Sequence, residues 1–310
     1  MPNINIDDAY ILNETGAQVD KVTGLFTKDE NTTSGEKAFA QLNIGTAGSN
    51  RNLLDNPWFT VNQRGQSSYT GRVYGVDRWI EYGSSNTVTV TSDGITLPVD
   101  TNSGFEQYFD DTFIQGKTVT ISFMTADGTV TSKTVTWPTS GANMTAYTNG
   151  VAFFFGTVVG KKGLAILTNA EVTLRAVKLE LGSVSTLAND APPDYGAELA
   201  KCQRDLMVYK FPGSVGAIGF AYAHTTTNAT AVITLPVPMR ATPTISVVNS
   251  IALQQGTVRY NLTSPANIVL NGNVLTFSSP YTVVSGTAAA GTVGALLLRE
   301  NAILTISAEP

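Results

Sequence analysis

The sequence predicts an all-β protein with an N-terminal segment, a β-sandwich, a linking α-helix and a second β domain. Charged residues make up only 14% of its 310 residues, against roughly 25% in a typical soluble domain. Threonine, serine, asparagine and glycine, which suit strands and tight turns, are abundant instead. No glycine-rich nucleotide loop precedes a helix and strands do not alternate with helices, so we expect no parallel α/β sheet.

Residues 1–50 differ from the rest of the chain. They hold short apolar pieces, such as Ile4 and Ile6, and one helical candidate around Gly35–Leu42. Such a segment cannot bury a core alone, so it is either disordered or ordered by docking onto something larger. We expect no signal peptide and no membrane span, because no basic region precedes an apolar stretch and no long apolar run occurs.

Residues 51–193 are predicted to form the sandwich. The stretch TVTVTSDGITL alternates apolar and polar residues and turns at Asp93–Gly94, and KTVTISFMTADGTV repeats the pattern with a turn at Asp127–Gly128. Both faces of VAFFFGTV are apolar, which predicts a strand covered on both sides. In EVTLRAVKLELG the apolar phase changes near Ala176, which predicts a bulge or bend.

A linking helix is predicted over residues 194–211, with Asp194 as its N-cap. Its apolar residues follow at spacings of three, four and three: Leu199, Cys202, Leu206 and Tyr209. Parallel helices bury such a stripe against copies of themselves, although it could also pack on the sandwich of its own chain. Residues 212–310 return to strands, with Asn271–Gly272 as a hairpin turn.

Composition argues against several function classes. The net charge is −5 and no cluster of Lys and Arg appears, so nucleic acid is not an expected partner. One cysteine, Cys202, and one histidine, His224, leave no disulfide and no Cys/His metal cage within one copy. The region around His224 lacks the pattern of a hydrolase triad, so we expect a surface or core histidine. No cofactor and no metal are predicted.

One acidic cluster is a candidate for chemistry. The stretch FEQYFDD contains Glu106, Asp110 and Asp111, which could form a glycosidase pair or a calcium site. Acidic residues beside Gln115–Gly116 are also typical of solvated turns. Without further catalytic groups, we expect a protein that is not an enzyme.

Aromatic residues are the stronger indication of binding, because sugar rings stack on flat side chains while polar neighbours bond the hydroxyls. Tyr82, Tyr108 and Trp137 lie near predicted turns and are the candidate ligand contacts, with packing at the rim of the sandwich as the alternative. Trp79 is expected in the core, beside an Asp77–Arg78 pair whose charges satisfy one another.

Three phrases follow in order along the sandwich: NLLDNPWFTVNQRG, VYGVDRWIEY and AVKLELG. They resemble bacteriophage and prophage tail-fibre or receptor-binding proteins. In those proteins three motifs bracket a jelly roll like that of sugar-binding modules. An Asn-Leu-Leu-x-Asn-x-x-Phe motif marks its entry, an Asp-Arg-Trp motif follows, and a Lys-Leu-Glu-x-Gly motif marks its exit. GEKAFAQLNIGTAG resembles fibre N-terminal regions, and LPVPMRATPTISV resembles the start of their C-terminal β domain. The entry phrase is then expected to be the first strand, with Leu53 and Leu54 in the core.

The resemblance implies a structural fibre or receptor-binding protein on the surface of the phage particle, made in the bacterial cytoplasm. Residues 1–50 would attach it to other virion proteins of the tail or baseplate. A carbohydrate-binding-like jelly roll (51–193) and a C-terminal β-sandwich (212–310) would bind a host cell-surface saccharide. Together with the helical stripe, the resemblance favours a homotrimer. Two alternatives remain: a capsid fibre or decoration protein, which shares every feature, and a secreted bacterial carbohydrate-binding module, which would need a signal peptide.

Overall fold

The computed structural model describes residues 50–287 and 290–310. Over these residues the chain consists mainly of antiparallel strands, so the all-β prediction is confirmed. The predicted docking segment and its helical candidate lie outside the described residues, apart from Asn50. Within the described ranges, no helix has the length and hydropathy needed to cross a membrane.

The first β domain is a sandwich of two sheets. Its strands are β1 (Ser68–Thr70), β2 (Val73–Tyr74), β3 (Ile80–Glu81), β4 (Thr87–Thr91), β5 (Gly94–Leu97), β6 (Asp100–Tyr108), β7 (Thr118–Thr125), β8 (Val130–Thr136), β9 (Ala142–Met144), β10 (Val151–Val158), β11 (Lys161–Thr168) and β12 (Val172–Leu181). Sheet 1 has the order β1-β4-β5-β12-β7-β8, and sheet 2 has the order β2-β3-β6-β11-β10-β9. Each sheet has six strands, and the connections cross between the two sheets several times.

Local sequence signals place most of these strands correctly. The turns at Asp93–Gly94 and Asp127–Gly128 join the hairpins β4–β5 and β7–β8. The stretch VAFFFGTV is β10, which pairs with β11 on one side and β9 on the other. The predicted irregularity in β12 is a register shift against β7 between Leu174 and Ala176. Such a shift lets one strand turn apolar residues to opposite sides along its length.

The core of the sandwich lies between the two inner faces. Sheet 2 contributes aromatic residues such as Phe105, Phe153 and Phe155, and sheet 1 contributes mainly aliphatic ones. Trp79 is fully buried, as predicted, and stacks on Phe105 with ring centroids 5.2 Å apart. Offset aromatic pairs of this kind add roughly 1 kcal/mol to the burial of their area.

The linking helix is shorter than predicted. Helix α1 spans Tyr195–Cys202, and Asp194 caps it by accepting a hydrogen bond from the amide of Ala197 at 2.8 Å. A turn follows, and strand β13 (Leu206–Lys210) begins where the helix was expected to continue. The prediction of a helix over 194–211 is therefore wrong beyond its first half, because pairing with the last strand of the chain satisfies the backbone of residues 206–210.

The second β domain begins with β13 rather than at residue 212. Its further strands are β14 (Gly216–Ala223), β15 (Asn228–Thr234), β16 (Thr244–Val248), β17 (Ile251–Gln255), β18 (Val258–Leu262), β19 (Ala266–Asn271), β20 (Val274–Ser285), β21 (Val293–Leu298) and β22 (Ile303–Ser307). Strands β13-β22-β16 form one sheet, and β15-β14-β21-β17-β18-β20-β19 form a larger one.

The larger sheet closes on itself. Strand β20 pairs with β15 over its first half and with β18 over its second half, so six strands form a barrel-like ring and β19 lies outside on β20. The predicted turn at Asn271–Gly272 joins β19 to β20. The expected C-terminal sandwich is thus a barrel-like sheet and a small sheet that share one core, which includes Tyr260, Phe277 and Leu304.

Candidate binding site

The entry phrase NLLDNPWFTVNQRG forms no strand, contrary to prediction, but it is tied to sheet 1 by side chains. The Asn52 amide donates to the carbonyl of Val177 at 2.9 Å and accepts from the amide of Leu179 at 3.2 Å. Leu54 is buried in the core as expected, whereas Leu53 is half-buried. The asparagine side chain offers both a donor and an acceptor, and it supplements backbone bonds from the amide of Leu53 to the carbonyl of Leu179 and from the amide of Val177 to the carbonyl of Pro57.

Asn56 is the centre of a buried polar network. Its side chain donates to the carbonyls of Val61 (2.8 Å) and Asp77 (2.9 Å) and accepts from the amide of Val61 (3.0 Å). Its carbonyl accepts from the indole of Trp79 at 3.1 Å, and its backbone has a φ of 48°. Asparagine tolerates this left-handed conformation better than most residues do. The entry phrase therefore holds the Asp-Arg-Trp phrase in place.

The exit phrase also has a structural role. Lys178 is fully buried, and its ammonium donates to Thr186 at 2.8 Å and to the Asp190 carboxylate at 2.8 and 2.9 Å. Glu180 is buried as well and accepts from the amide of Thr186 at 2.8 Å. These contacts fasten the segment after β12 across the outer face of sheet 1. The phrases that carry the family resemblance thus contribute mainly to the framework.

Trp137 cannot be a ligand contact in this structure. Its side chain is fully buried, its indole nitrogen donates to Asp111 at 2.9 Å, and its ring lies 5.3 Å from that of Phe155. A sugar needs a free ring face to stack on, so the predicted contact is wrong. The position before Pro138 looked like the end of a strand near a turn, and nothing in that pattern revealed that the ring points inward.

Tyr82 and Tyr108 lie on one face of sheet 2. Strands β3 and β6 pair so that Ile80 lies opposite Glu106, and the amide of Tyr82 donates to the carbonyl of Gly104 at 3.1 Å. Because side chains two residues apart point to the same side of a strand, Tyr82, Glu106 and Tyr108 share the outer face. The structure therefore brings two of the three predicted contacts together.

Each of the two tyrosines has a cation near its ring. The guanidinium carbon of Arg72 lies 3.7 Å from the ring centroid of Tyr82, and the ammonium of Lys161 lies 4.9 Å from that of Tyr108. Tyr82 is half-buried, whereas Tyr108 is only 6% exposed. Tyr82 is therefore the more accessible of the two. The attraction between a cation and an aromatic face orients both pairs.

Glu106 is buried beneath this surface, and the buried Glu81, which pairs with the core residue Phe105, points to the opposite side of sheet 2. Burial raises the pKa of Glu106 to about 7, which its hydrogen bond from the Tyr108 hydroxyl opposes and the charge of Glu81 reinforces. Burial likewise raises the pKa of Glu81 to about 7. The Oε1 atom of Glu106 is buried and has no hydrogen-bond partner among the described residues. A buried carboxyl oxygen without a partner costs free energy.

The acidic cluster of FEQYFDD does not converge on one point. Glu106 lies in β6, the exposed Asp110 accepts from the amide of Thr112 at 3.0 Å, and the buried Asp111 accepts from Gln115 at 2.8 Å. Within the described part of the chain, no group of three acidic, histidine or cysteine residues is placed to hold a metal ion. His224 is exposed and lies against the ring of Tyr222, in the second domain.

The residues proposed for a trimer seam are covered by their own chain. Cys202 and Leu206 are fully buried, Leu199 and Tyr209 are half-buried, and only Leu199 and Cys202 belong to the helix. For Cys202 and Leu206 the structure therefore favours the alternative, packing on the same chain. Burial raises the pKa of the Cys202 thiol, which keeps it in its protonated form.

A cavity of about 590 Å³ lies where the sandwich, helix α1 and the second β domain meet. Tyr108 and Phe109 line it, together with seven basic and three acidic residues: Arg51, Arg78, Lys161, Lys162, Lys201, Arg204 and Arg240, with Asp55, Asp110 and Asp205. Sequence reasoning missed this cavity because its basic residues are dispersed along the chain. Apart from the adjacent Lys161 and Lys162, its basic residues form no local cluster in the sequence that would indicate a cavity.

Arg78 forms the floor of this cavity. It is 6% exposed, and its guanidinium pairs with Asp55 at 3.2 Å and with Asp205 at 3.0 Å. Its Nη2 also donates to the carbonyl of Tyr108 at 3.0 Å. The expected pairing with Asp77 is wrong, since the Asp77 carboxylate accepts from the amide of Gln63 instead. Arg78 thus links the sandwich, the outer face of sheet 2 and the second domain.

No family model matches this chain, and no curated protein or solved structure matches it either. The fold and the two surfaces described above therefore carry the functional interpretation.

Proposed function

We propose that the chain is a structural receptor-binding fibre protein of a bacteriophage particle and that it binds a host cell-surface saccharide through the outer face of sheet 2. The observation that carries this proposal is the grouping of Tyr82, Glu106 and Tyr108 on that face. The half-buried Tyr82 ring supplies an apolar surface for a sugar, while Glu106 lies fully buried beneath this face and supports it without reaching the sugar.

The rest of the proposal follows the motif order of the sequence. Residues 1–50 attach the protein to other virion proteins, and the described domains project from the particle as a homotrimer. The trimer rests on the resemblance alone, because the helical stripe is covered within one chain. The protein binds its saccharide without cleaving it, since the acidic side chains of FEQYFDD do not converge.

Tyr82→Ala tests the binding face. Stacking on one aromatic ring contributes on the order of 1 kcal/mol, so the variant should weaken binding to host cell-surface glycan about fivefold. Tyr222→Ala is the matched control, because Tyr222 is an exposed tyrosine on the barrel. Binding can be measured as adsorption of the labelled protein to host cells, with reducing-sugar release followed in parallel.

The two variants discriminate between the β domains. Loss of adsorption in Tyr82→Ala with normal adsorption in Tyr222→Ala supports the sheet 2 face. The reverse result would place the site in the second domain and refute this assignment. Release of reducing sugar that disappears in Glu106→Gln would show that the protein is an enzyme. Deletion of residues 1–50 should leave a soluble protein that no longer incorporates into particles.

A further inference from the structure

The cavity between the domains has the opposite charge to the rest of the chain. It gathers seven of the 19 Lys and Arg residues but only three of the 24 Asp and Glu residues, while the chain as a whole carries −5. Charges of one sign that line a concave surface focus the local field and raise the concentration of counter-ions there. The cavity is therefore suited to an anion, although the protein as a whole is acidic.

Several of the basic residues hold the cavity in shape. Arg78 pairs with Asp55 and Asp205, and Arg240 pairs with Asp205 at 2.8 Å. The backbone amide of Arg240 donates to the carbonyl of Arg204 at 2.7 Å, which ties the second domain to the end of helix α1. These contacts come from both β domains, so the walls of the cavity are fixed before any ligand enters.

Other basic residues are available to a ligand. Arg51, Lys161 and Arg204 are exposed and make no ion pair with the described residues. Arginine presents a planar fork of N–H groups that matches a carboxylate or a phosphate, and lysine adds a mobile point charge. A cavity with a fixed floor and unpaired cations at its rim is suited to bind a specific anionic group.

We infer that this cavity binds the carboxylate or phosphate group of an acidic saccharide. Its volume of about 590 Å³ falls within the range of ordinary small-molecule sites, roughly 300–1,000 Å³. Tyr108 both lines the cavity and lies beside Glu106 on the outer face of sheet 2, so one saccharide chain can contact both surfaces. The inference rests on the proposed function and names the chemical class of its receptor.

The test compares acidic sugars with their neutral counterparts by titration calorimetry. Trigalacturonate and its methyl ester form one pair, and mannose 6-phosphate and mannose form the other. At least one acid should bind tenfold or more tightly than its neutral counterpart, which corresponds to about 1.4 kcal/mol. The pair that shows the difference tells whether the receptor offers a carboxylate or a phosphate. Equal binding of acid and neutral sugar in both pairs, or no measurable binding of either acid, overturns the inference.

Charge-matched double variants locate the effect. Lys161→Ala with Arg204→Ala should reduce the preference for the acid to twofold or less. Lys133→Ala with Arg175→Ala removes the same charges from sheet 1 and should leave the preference unchanged. Equal losses in the two double variants would show a general charge effect and refute the cavity.

The same titrations with Tyr82→Ala separate this inference from the proposed function. If Tyr82→Ala weakens acidic and neutral sugars alike and the cavity variant has no effect, the saccharide site on sheet 2 stands and the inference about the cavity fails. If only the cavity variant acts, the anion site stands and the sheet 2 face is refuted.

Discussion

Replacing Glu106 with glutamine should change how the stability of the sandwich depends on pH. Glu106 is fully buried, and burial raises its pKa from 4.5 to about 7. The native state then binds this proton more tightly than the unfolded state does. The resulting stabilisation is fully present below pH 4.5 and is lost as the pH rises through 7.

The size of the effect follows from the shift. Each pKa unit corresponds to 1.36 kcal/mol, so the free energy of unfolding should fall by up to about 3 kcal/mol between pH 4.5 and 8 on account of Glu106 alone. Glutamine keeps the shape of the side chain and cannot ionise. Glu106→Gln should therefore match the wild type near pH 5 and exceed it in stability by about 2 to 3 kcal/mol at pH 8.

Urea unfolding followed by tryptophan fluorescence is a suitable assay, because Trp58, Trp79 and Trp137 all lie in the sandwich. The free energy of unfolding is compared between variant and wild type at pH 5, 6, 7 and 8, so contributions of other groups largely cancel. Glu171→Gln, at an exposed carboxylate, is the control and should give a difference near zero throughout. A Glu106→Gln difference that stays constant from pH 5 to 8 would refute the reasoning.

Four further predictions concern the framework and the oligomer. Asn56→Ala removes three buried hydrogen bonds and should cost about 3 kcal/mol of unfolding free energy, measured by urea titration; a loss below about 1 kcal/mol would contradict the network. Trp137→Ala should cost about 4 kcal/mol, and residual folded protein should bind saccharide normally; weakened binding by fully folded variant would restore Trp137 as a contact. Light scattering of the full chain should give about three times 32.8 kDa, and a mass near 32.8 kDa would refute the trimer. Leu206→Asp should unfold the chain rather than dissociate it, which near-ultraviolet circular dichroism distinguishes.

Signals that depend on a few neighbouring residues were sufficient to predict much of the fold. A glycine after aspartate at 93–94 or 127–128 permits a tight turn, and the alternation on each side fixes which residues face the core. The apolar stripe from Leu199 to Tyr209 gave a helix prediction that is too long, because its spacing of three, four and three fits a helix. The same residues also fit a helical turn followed by a strand. Only the long-range partner β22 decides between them, and it lies about 100 residues further on.

The residues of the candidate sites differ in how well they can be predicted from the sequence. The sequence singles out Tyr82, Tyr108 and Trp137 because aromatic residues are conspicuous among turns and strands, but it does not show that Tyr82 is half-buried whereas Tyr108 and Trp137 are buried. Exposure depends on which face of a strand meets the other sheet, and a residue near a turn can point either way. The partnerless oxygen of Glu106 has no signal in the sequence at all, since it arises from the packing of β3 against β6.

The residues of the basic cavity are brought together only by the fold, because they are dispersed along the sequence. Arg78 belongs to the Asp-Arg-Trp phrase, and the network around Asn56 holds the backbone carbonyl of Asp77 and the indole of Trp79 on either side of it. From that position Arg78 reaches Asp205 at the end of helix α1, and Asp205 in turn holds Arg240 of the second domain. A phrase that resembles a family signature therefore positions a charged junction between domains. At the proposed anion site, Arg78 acts on binding from the floor of the cavity and through this junction, whereas the other residues of the phrase need not touch the saccharide.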